Sequence, residues 1–359
     1  MKLIELRLEN WRNIAETRIA AGAGINMLEG PNGAGKTSVL EAIYLLSHGQ
    51  SFRTQRGEFL VRQGMAEAVV FGQIESRGGV VHLGMRQGEG RWSARVDGQP
   101  AATVTAAIGH CAVVCFEPGS HALIAGPSEG RRRFLDWGVF HVEPEFPSVS
   151  RRFRRALKQR NALLRNNAGS EELFAWDAEL APAALALNAA RVRYLERLTP
   201  VLLNRLRRLL PDLGEPVLHY LPGWSAERDL LLALGESHGA DRQRGHTTRG
   251  PHRADWKLGF ERATRREQLS RGQEKLCAIA CMLAQAELYQ VDHGEWPIVV
   301  LDDLPSELDL AHQSVVIEGL TGEAAQVFLT STEVPRCLLE AGVPFHSFHV
   351  EQGRVTALL

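Results

Sequence analysis

A chain of 359 residues with 44% hydrophobic and 23% charged side chains can bury a sizeable core and has room for two domains, which excludes a disordered or low-complexity protein. Its formal net charge of −1 means that no global field draws it to polyanions, so any nucleic-acid contact must come from local clustering of basic residues. No apolar run approaches the ~18 residues of a membrane span, Met1 to Trp11 alternates like a strand instead of carrying a signal-peptide core, and Cys111, Cys115, Cys277, Cys281 and Cys337 are odd in number. The expected address is therefore cytoplasmic, without a disulfide framework.

Lys2 to Asn10 alternates as a strand, breaks at Trp11 to Ile14, and resumes as a second short strand near Thr17 to Ala20. Next, an apolar run (Ile25, Met27, Leu28) leads into Gly30-Pro-Asn-Gly-Ala-Gly-Lys36-Thr37, which fits G-x-x-x-x-G-K-[ST] and opens an amphipathic helix through Leu46. Glycines 30, 33 and 35 let the backbone curl with its N–H groups inward, and the helix N-terminus adds partial positive charge. Gly30, Pro31, Asn32, Gly33, Ala34, Gly35, Lys36, Thr37 and Ser38 are thus expected to hold nucleotide phosphates. Lys36 supplies a point charge to the β/γ-phosphates, and Thr37 supplies a hydroxyl ligand to Mg²⁺.

Phe59 to Val61, Val69 to Ile74, Val80 to Arg86 and Ser93 to Val96, the last ended by an Asp97-Gly98 turn, read as an antiparallel sheet. Ala112 to Phe116 is a buried strand, and Pro127-Ser128-Glu129 opens a helix carrying Arg131, Arg132 and Arg133. Cys111 and Cys115 on that strand, and Cys277 and Cys281 in a later apolar helix, read as small buried hydrophobes rather than zinc ligands.

From about Val149 to Leu210 the pattern is one of long helices, broken at Asn166-Asn-Ala-Gly169 and stopped at Pro211. No acid falls between Glu145 and Glu171, where Arg151, Arg152, Arg154, Arg155, Lys158, Arg160 and Arg165 lie. A second run, Arg191, Arg193, Arg197, Arg205, Arg207 and Arg208, has only Glu196 against it. Solvated helix faces usually interleave signs, so a polyanion-binding face is the favoured reading and a solvated face the alternative. His238 to Asp255 is polar and glycine-containing, and reads as a surface crossing between domains.

Leu269-Ser-Arg-Gly-Gln273 then heads a helix, with Ser270 placed as its cap and free N–H groups forming a second anion site. Pro297-Ile-Val-Val-Leu-Asp302-Asp303 is a central parallel strand delivering two carboxylates to its C-terminal edge. Asp302 suits Mg²⁺, and Asp303 is placed to orient or deprotonate a water. Ser306-Glu-Leu-Asp309, a buried strand Val327 to Thr332 and a short strand Phe345 to Val350 follow.

Phosphate loop, long insertion, L-S-x-G-Q, an aliphatic strand with paired acids, then S-x-L-D is the layout of an ABC-type ATPase head. Within that class the chain resembles the RecF family of bacterial recombination mediators, which is similar to SMC heads without the long coiled coil. The resemblance rests on Glu9-Asn-Trp-Arg-Asn-Ile14, Leu40-Glu-Ala-Ile-Tyr44, Ser51-Phe-Arg53, Gly126-Pro127, Arg131 to Trp137, Lys158-Gln-Arg-Asn161 and Thr248 to Asp255, with Leu269 to Gln273 and Asp302 to Asp309. It implies an α/β fold, an ABC/SMC-type P-loop head with mixed β-sheet lobes, split over 1–125 and 240–359, and an inserted basic helical arm at 126–239. It also implies an ATP- and Mg²⁺-dependent homodimer in which Ser270, Arg271, Gly272 and Gln273 face the other subunit's nucleotide, while Arg12 and Asn13 join Lys36 and Asp303 at the chain's own site. The implied work is DNA repair at gapped or single-strand/double-strand junction DNA, promoting RecA loading with RecR and RecO through slow ATP hydrolysis. On the clustering of basic residues, and not on the resemblance, the DNA contacts are expected at Arg131, Arg132, Arg151, Arg154, Arg155 and Lys158, and the lack of a long apolar run argues against a membrane. Two departures count against fast hydrolysis: Phe116 runs into Glu117-Pro118 with no glutamine, and Thr330-Ser-Thr stands where a switch histidine is common. An ABC transporter ATPase subunit and an ATPase-linked nuclease of the overcoming-lysogenization-defect type share the motifs. The long cationic insert weighs against the first, and the short stretch after Asp309 against the second.

Overall fold

A computed structural model describes residues 1–358 except 167, 168, 226, 266, 267, 323 and 324, so Asn167 and Ala168 of the expected helix break lie outside the described residues. The chain forms two compact units: Met1–Ser120 with Ala278–Leu359, and His121–Cys277.

The first unit opens with β1 (Lys2–Trp11) and β2 (Ile14–Ala20), paired antiparallel around a two-residue turn in which Arg12 takes a positive φ of 54°. Strand β3 (Ile25–Glu29) is buried along its aliphatic length, and α1 (Lys36–His48) stops at Gly49 in the left-handed conformation, where no Cβ opposes it. The strand expected at Phe59 to Val61 is instead a 3₁₀ turn, Gly57–Leu60, with Val61 making a lone bridge to Trp11. Only Leu60 is buried there while Phe59 faces out, so three apolar letters in a row gave no strand alternation. Strands β4 (Glu67–Ser76), β5 (Gly79–Gly88), β6 (Arg91–Val96) and β7 (Gln99–Pro100) complete an antiparallel sheet of order β2-β1-β4-β5-β6-β7. Asp97 and Gly98 both have positive φ, 49° and 78°, as a two-residue hairpin turn of the primed type demands. Helix α2 (Val104–Ile108), capped by the Thr103 hydroxyl, and strand β8 (Val113–Phe116) follow.

The second unit holds α3 (Ala122–Ala125), α4 (Ser128–Val142), α5 (Phe146–Arg165) and the forty-residue α6 (Ser170–Leu209). At 1.5 Å per residue α6 is about 60 Å long, and it carries Pro182 and Pro200 in its interior. Strand β9 (Pro216–Leu221), α7 (Leu230–Glu236), α8 (His238–Arg244) and β10 (Asp255–Phe260) close the unit, with β9 and β10 antiparallel. His238 to Asp255 is therefore not a surface crossing. Asp241 and Thr247 are buried and converge on Arg160, which is itself fully buried. Its guanidinium donates to Asp177 at 2.5 Å, to Asp241 at 2.7 Å and to Thr247 Oγ1 at 2.9 Å, while Ser237 Oγ and Thr248 also donate to Asp241. A polar segment can go inside when its charges pair this completely, and removing one partner of such a set costs about 3–5 kcal/mol.

Helix α9 (Arg271–His293) begins in the second unit, and the chain re-enters the first at Ala278. There β11 (Ile298–Leu301), α10 (Leu304–Glu307), α11 (Leu310–Gly322), β12 (Val327–Ser331), α12 (Arg336–Ala341), β13 (Phe345–Glu351) and β14 (Arg354–Leu358) build the second six-stranded sheet, of order β14-β13-β3-β12-β11-β8. All its pairings are parallel except that of β13 with β14, so β3, β12 and β11 deliver their C-terminal ends side by side. Strand β14 goes beyond the sequence expectation. It hangs on a Gln352-Gly353 turn with φ of 48° and 77°, a hairpin signal present in the sequence.

All five cysteines are free, with Cys115 half-buried and the others buried; burial pushes the Cys111 and Cys277 thiols up to about 12, so they stay protonated and inert. Among the described residues no helix is long and apolar enough to cross a membrane.

Candidate nucleotide site and cationic helix

Glycines 30, 33 and 35 have φ of 146°, 79° and 120°, conformations L side chains resist, so the loop between β3 and α1 needs glycine for its backbone alone. Gly30 needs it twice over, because a Cβ there would sit 2.1 Å from the Val350 carbonyl oxygen of β13. The Lys36 ammonium donates to the carbonyls of Gly30 at 2.6 Å and Pro31 at 3.0 Å, which holds it at the mouth of the loop. Burial lowers its pKa, opposed by the carboxylates of Asp303 and Asp302.

The parallel sheet brings the paired acids to this loop. Thr37 Oγ1 at the start of α1 donates to Asp302 Oδ1 at the end of β11 (3.0 Å), and Thr330 Oγ1 at the end of β12 donates to the same oxygen (2.6 Å). Asp302 is buried, and the loss of solvent raises its pKa above the usual carboxylate range despite the two hydroxyls. Asp303 takes a left-handed conformation (φ 52°, ψ 43°), costly for a residue with a Cβ, and its N–H is held by Thr330 Oγ1 at 2.9 Å. Thr330 thus ties both acids together.

Two devices clamp the loop from outside. Asn13 Nδ2 donates to the Ala34 carbonyl at 3.0 Å and its Oδ1 accepts from Ser38 Oγ. From the β13–β14 turn, Gly353 N–H donates to the same Ala34 carbonyl at 2.8 Å, where a Cβ would fall 2.4 Å from the Asn13 carbonyl oxygen. Arg12 is fixed by buried Glu41 through a two-pronged ion pair (2.8 and 2.6 Å) and by the Phe59 carbonyl at 2.9 Å. Arg12, Asn13, Asn32, Gly33, Gly35, Lys36, Thr37, Ser38, Asp302 and Asp303 line one cavity of about 1000 Å³, so the structure brings most of the sequence candidates of this unit together. Arg53, Glu58, Phe59, Val61, Arg62, Gln63 and Thr330 complete its wall, and of these the sequence pointed to Thr330 alone, as the residue at the switch position.

Ser270 to Gln273 belong to the second unit. Ser270 Oγ accepts from Gln273 N–H (3.3 Å) and Gln273 Oε1 accepts from Ser270 N–H (2.8 Å), a reciprocal capping box at the head of α9.

The DNA-contact candidates separate. Arg131 is 3% exposed, and its guanidinium is taken by Asp255 (2.6 and 3.2 Å) and by the carbonyls of Leu123, Ile124 and Gly126. It is a strut between α4 and β10, unavailable to a phosphate. Arg132 is half-buried and tied to Ser128 Oγ and the Ala254 carbonyl. Arg160, counted by sequence with the cations, is inside. Three arginines of the second basic run are also answered: Arg191 is buried against Asp136 (2.8 and 3.0 Å), Arg193 pairs with Glu143, and Arg207 pairs with Glu215. By contrast Arg151, Arg154, Arg155 and Lys158 are exposed on α5. At about 100° per residue they fall with Arg165 within about 100° of arc, opposite the buried Phe153, Ala156, Arg160 and Leu164.

Residues 5–131 match the AAA domain family. The chain is 45% identical over 362 residues, 99% of its own length and 98% of the relative's, to the DNA replication and repair protein RecF of Xanthomonas euvesicatoria pv. vesicatoria (strain 85-10). The chain belongs to the RecF family. A solved structure of the recombination mediator protein RecF with ATP, in the RecFOR pathway, superposes with a TM-score of 0.90 at 26% identity, covering 99% of this chain and 97% of that one. An SMC head bound to the C-winged helix domain of ScpA gives 0.61 at 15% identity, covering 100% and 97%, which shows the fold alone. The fold is accordingly that of an SMC/ABC-type ATPase head with a helical insertion, as RecF family membership implies.

Because Gly353 couples strain with a close approach, Gly353→Ala should lower stability by about 1–3 kcal/mol and weaken binding of a nucleoside triphosphate several-fold. Thermal melts with and without Mg-ATP would measure both. An unchanged melting temperature and affinity would show that the β13–β14 turn does not hold the loop.

Proposed function

We propose that this protein works in DNA replication and repair as an ATP-binding, ATP-hydrolysing switch that closes two copies of itself on duplex DNA at gaps and single-strand/double-strand junctions. One observation carries the reading: Lys36, Thr37, Asp302 and Asp303 meet at the joined ends of β3, β12 and β11. Loop N–H groups and Lys36 hold the phosphates. The Thr37 hydroxyl and the Asp302 carboxylate, two hard oxygen donors already 3.0 Å apart, suit a Mg²⁺ ion that takes its other ligands from phosphate and water. That ion would screen the developing phosphate charge. Asp303, held by its backbone beside Asp302, orients or deprotonates the attacking water.

Slow turnover is supported by two features. Glu117 is spent on its own turn, accepting from Gly119 N–H at 2.6 Å, and no glutamine follows β8. Thr330 occupies the end of β12, where it buttresses the acids and has no ring nitrogen to offer. The capping box leaves the N–H groups of Arg271 and Gly272 at the head of a 23-residue helix for the γ-phosphate on a second copy. The exposed α5 cations serve DNA phosphates, and RecR, RecO and RecA are the expected partners, in keeping with the RecFOR pathway named for a relative.

Sedimentation with and without ATP and a gapped duplex tests this directly. The wild-type chain should dimerise only with ATP and co-sediment with the duplex. Asp303→Asn should bind ATP and dimerise but turn over at least ~10²-fold more slowly, the low end of general-base contributions. Parental turnover in that variant would take Asp303 out of the chemistry, and ATP-independent mass would remove the switch.

A further inference from the structure

Strands β9 and β10 make a two-stranded sheet among the described residues, and its cover is unequal. Directly opposed residues of an antiparallel pair share a face, so Tyr220 with Trp256 and Leu218 with Leu258 belong to one side. On β10 that side is closed, with Trp256 and Leu258 only 2% and 5% exposed. On β9 it is open: Leu218 and Tyr220 are half-buried, and with Val192, Pro200 and Leu203 of α6 they line a groove of about 620 Å³. The Tyr220 hydroxyl donates to Asn188 Oδ1 at 2.8 Å, which fixes one wall. The apolar layer beneath α6 therefore ends one strand short.

The margins of the groove specify what would complete it. Among the described residues β9 has β10 on one side and no strand on the other, so alternate backbone N–H and C=O groups stand outside any ladder. Pro200 in the groove wall has no N–H to return to the Glu196 carbonyl four residues back, which adds a further acceptor. Such groups call for a polypeptide and not for an apolar plug. On the opposite face of β9, Val217 and Leu221 are 44% and 46% exposed, and between them lies His219, paired across the strands with exposed Lys257. Lys257 makes no ion pair among the described residues, and β9 carries no acid.

We infer that the free edge of β9 takes up an extended segment of a partner protein, apolar at the alternate positions that fill the α6 groove and acidic at those between, beside His219 and Lys257. Main-chain hydrogen bonds supply the affinity of such strand addition, and pockets for alternate side chains supply its selectivity. A second copy of this chain is the poorer occupant, since its β9 would bring another His219 and Lys257 and no carboxylate. The exposed cations of α5 lie on a different helix and take no part.

Anisotropy titrations of the full chain with a labelled peptide of alternating Leu and Asp, long enough to span β9, test this. The peptide should saturate the chain at micromolar concentrations, and its counterpart with Lys in place of Asp should bind about tenfold more weakly or worse, because like charges then meet. Two further peptides, N-methylated on one or the other alternate set of amides, should differ: one binds as the parent does, and the other loses about tenfold or more, since only one set faces β9. Leu203→Glu should weaken the parent peptide about tenfold and Lys257→Glu about threefold, with melting temperatures taken to confirm folding. If Leu203→Glu does not fold, the methylated pair still decides, because it needs no variant. Equal effects of the two methylation patterns overturn strand addition, a lysine peptide that binds as well as the aspartate one overturns the acidic partner, and no binding at millimolar peptide overturns the site. Nucleotide-free chain whose sedimenting mass rises with concentration, and stays monomeric in Leu203→Glu, would give the edge to a second copy instead.

Discussion

Replacing Lys36 by alanine should reduce ATP affinity by roughly 10²- to 10³-fold and abolish ATP-driven dimerisation and DNA loading together. The ammonium is the charge that the loop carbonyls of Gly30 and Pro31 hold at the phosphate site. Charged hydrogen bonds of this kind contribute about 1.5–3 kcal/mol each, and two of them to a polyphosphate account for the expected loss. Folding should survive, because the nest itself is built from backbone and from the Asn13 and Gly353 clamps on Ala34. Calorimetric titration of ATP into the variant, with its melting temperature measured alone, separates the two effects. Retained ATP-driven dimerisation would remove Lys36 and the loop from the proposed switch.

The loop was legible in the sequence because its chemistry is local: positive φ, an inward nest and a helix start all lie within eight residues, and each demands a residue type at a fixed offset. Asp302 and Asp303 were legible for a related reason, since a four-residue aliphatic strand ending in acids reads as a parallel strand's C-terminal edge. The tie from Thr330 to both acids and the position of Gln63 were not, because long-range pairing sets them. Thr330 reaches Asp302 only since β12 lies between β3 and β11, and Gln63 reaches the cavity only since its segment is tied to the β1–β2 turn. Long-range pairing also explains the misread cations. Arg160 finds its acids 17 and 81 residues away and Arg191 finds Asp136 on another helix, so an acid-free window said nothing about whether these arginines face water. Helical periodicity separates the two classes after the fact: Arg160 falls among Phe153, Ala156 and Leu164 on the buried face of α5.

What remains exposed on α5 supports the second large effect. Replacing Arg151, Arg154, Arg155 and Lys158 together by glutamine should weaken duplex binding without regard to base sequence. Each lost phosphate contact removes about 0.9 from the slope of log K against log salt, so the full set flattens it by up to ~3–4 units. Arg151, Arg155 and Lys158 make no ion pair among the described residues, and Arg154 touches only Ser150. Their charge is therefore not spent on folding. Exposed substitutions of this kind stay within about 0.5 kcal/mol each, and relief of like-charge spacing along the helix offsets part of that. Their spread from Arg151 to Lys158 covers about 10 Å of helix, long enough to meet two successive phosphates of one strand. Arg131 provides the internal contrast, because it is locked to Asp255, and its replacement should lower the melting temperature rather than the salt slope. ATP affinity should be unchanged in the quadruple variant, whose positions belong to the second unit while the phosphate loop belongs to the first. Affinities at several salt concentrations decide the matter: an unchanged slope would free this helix from the DNA surface and leave it to an acidic protein partner, whose binding should then fall in the same variant.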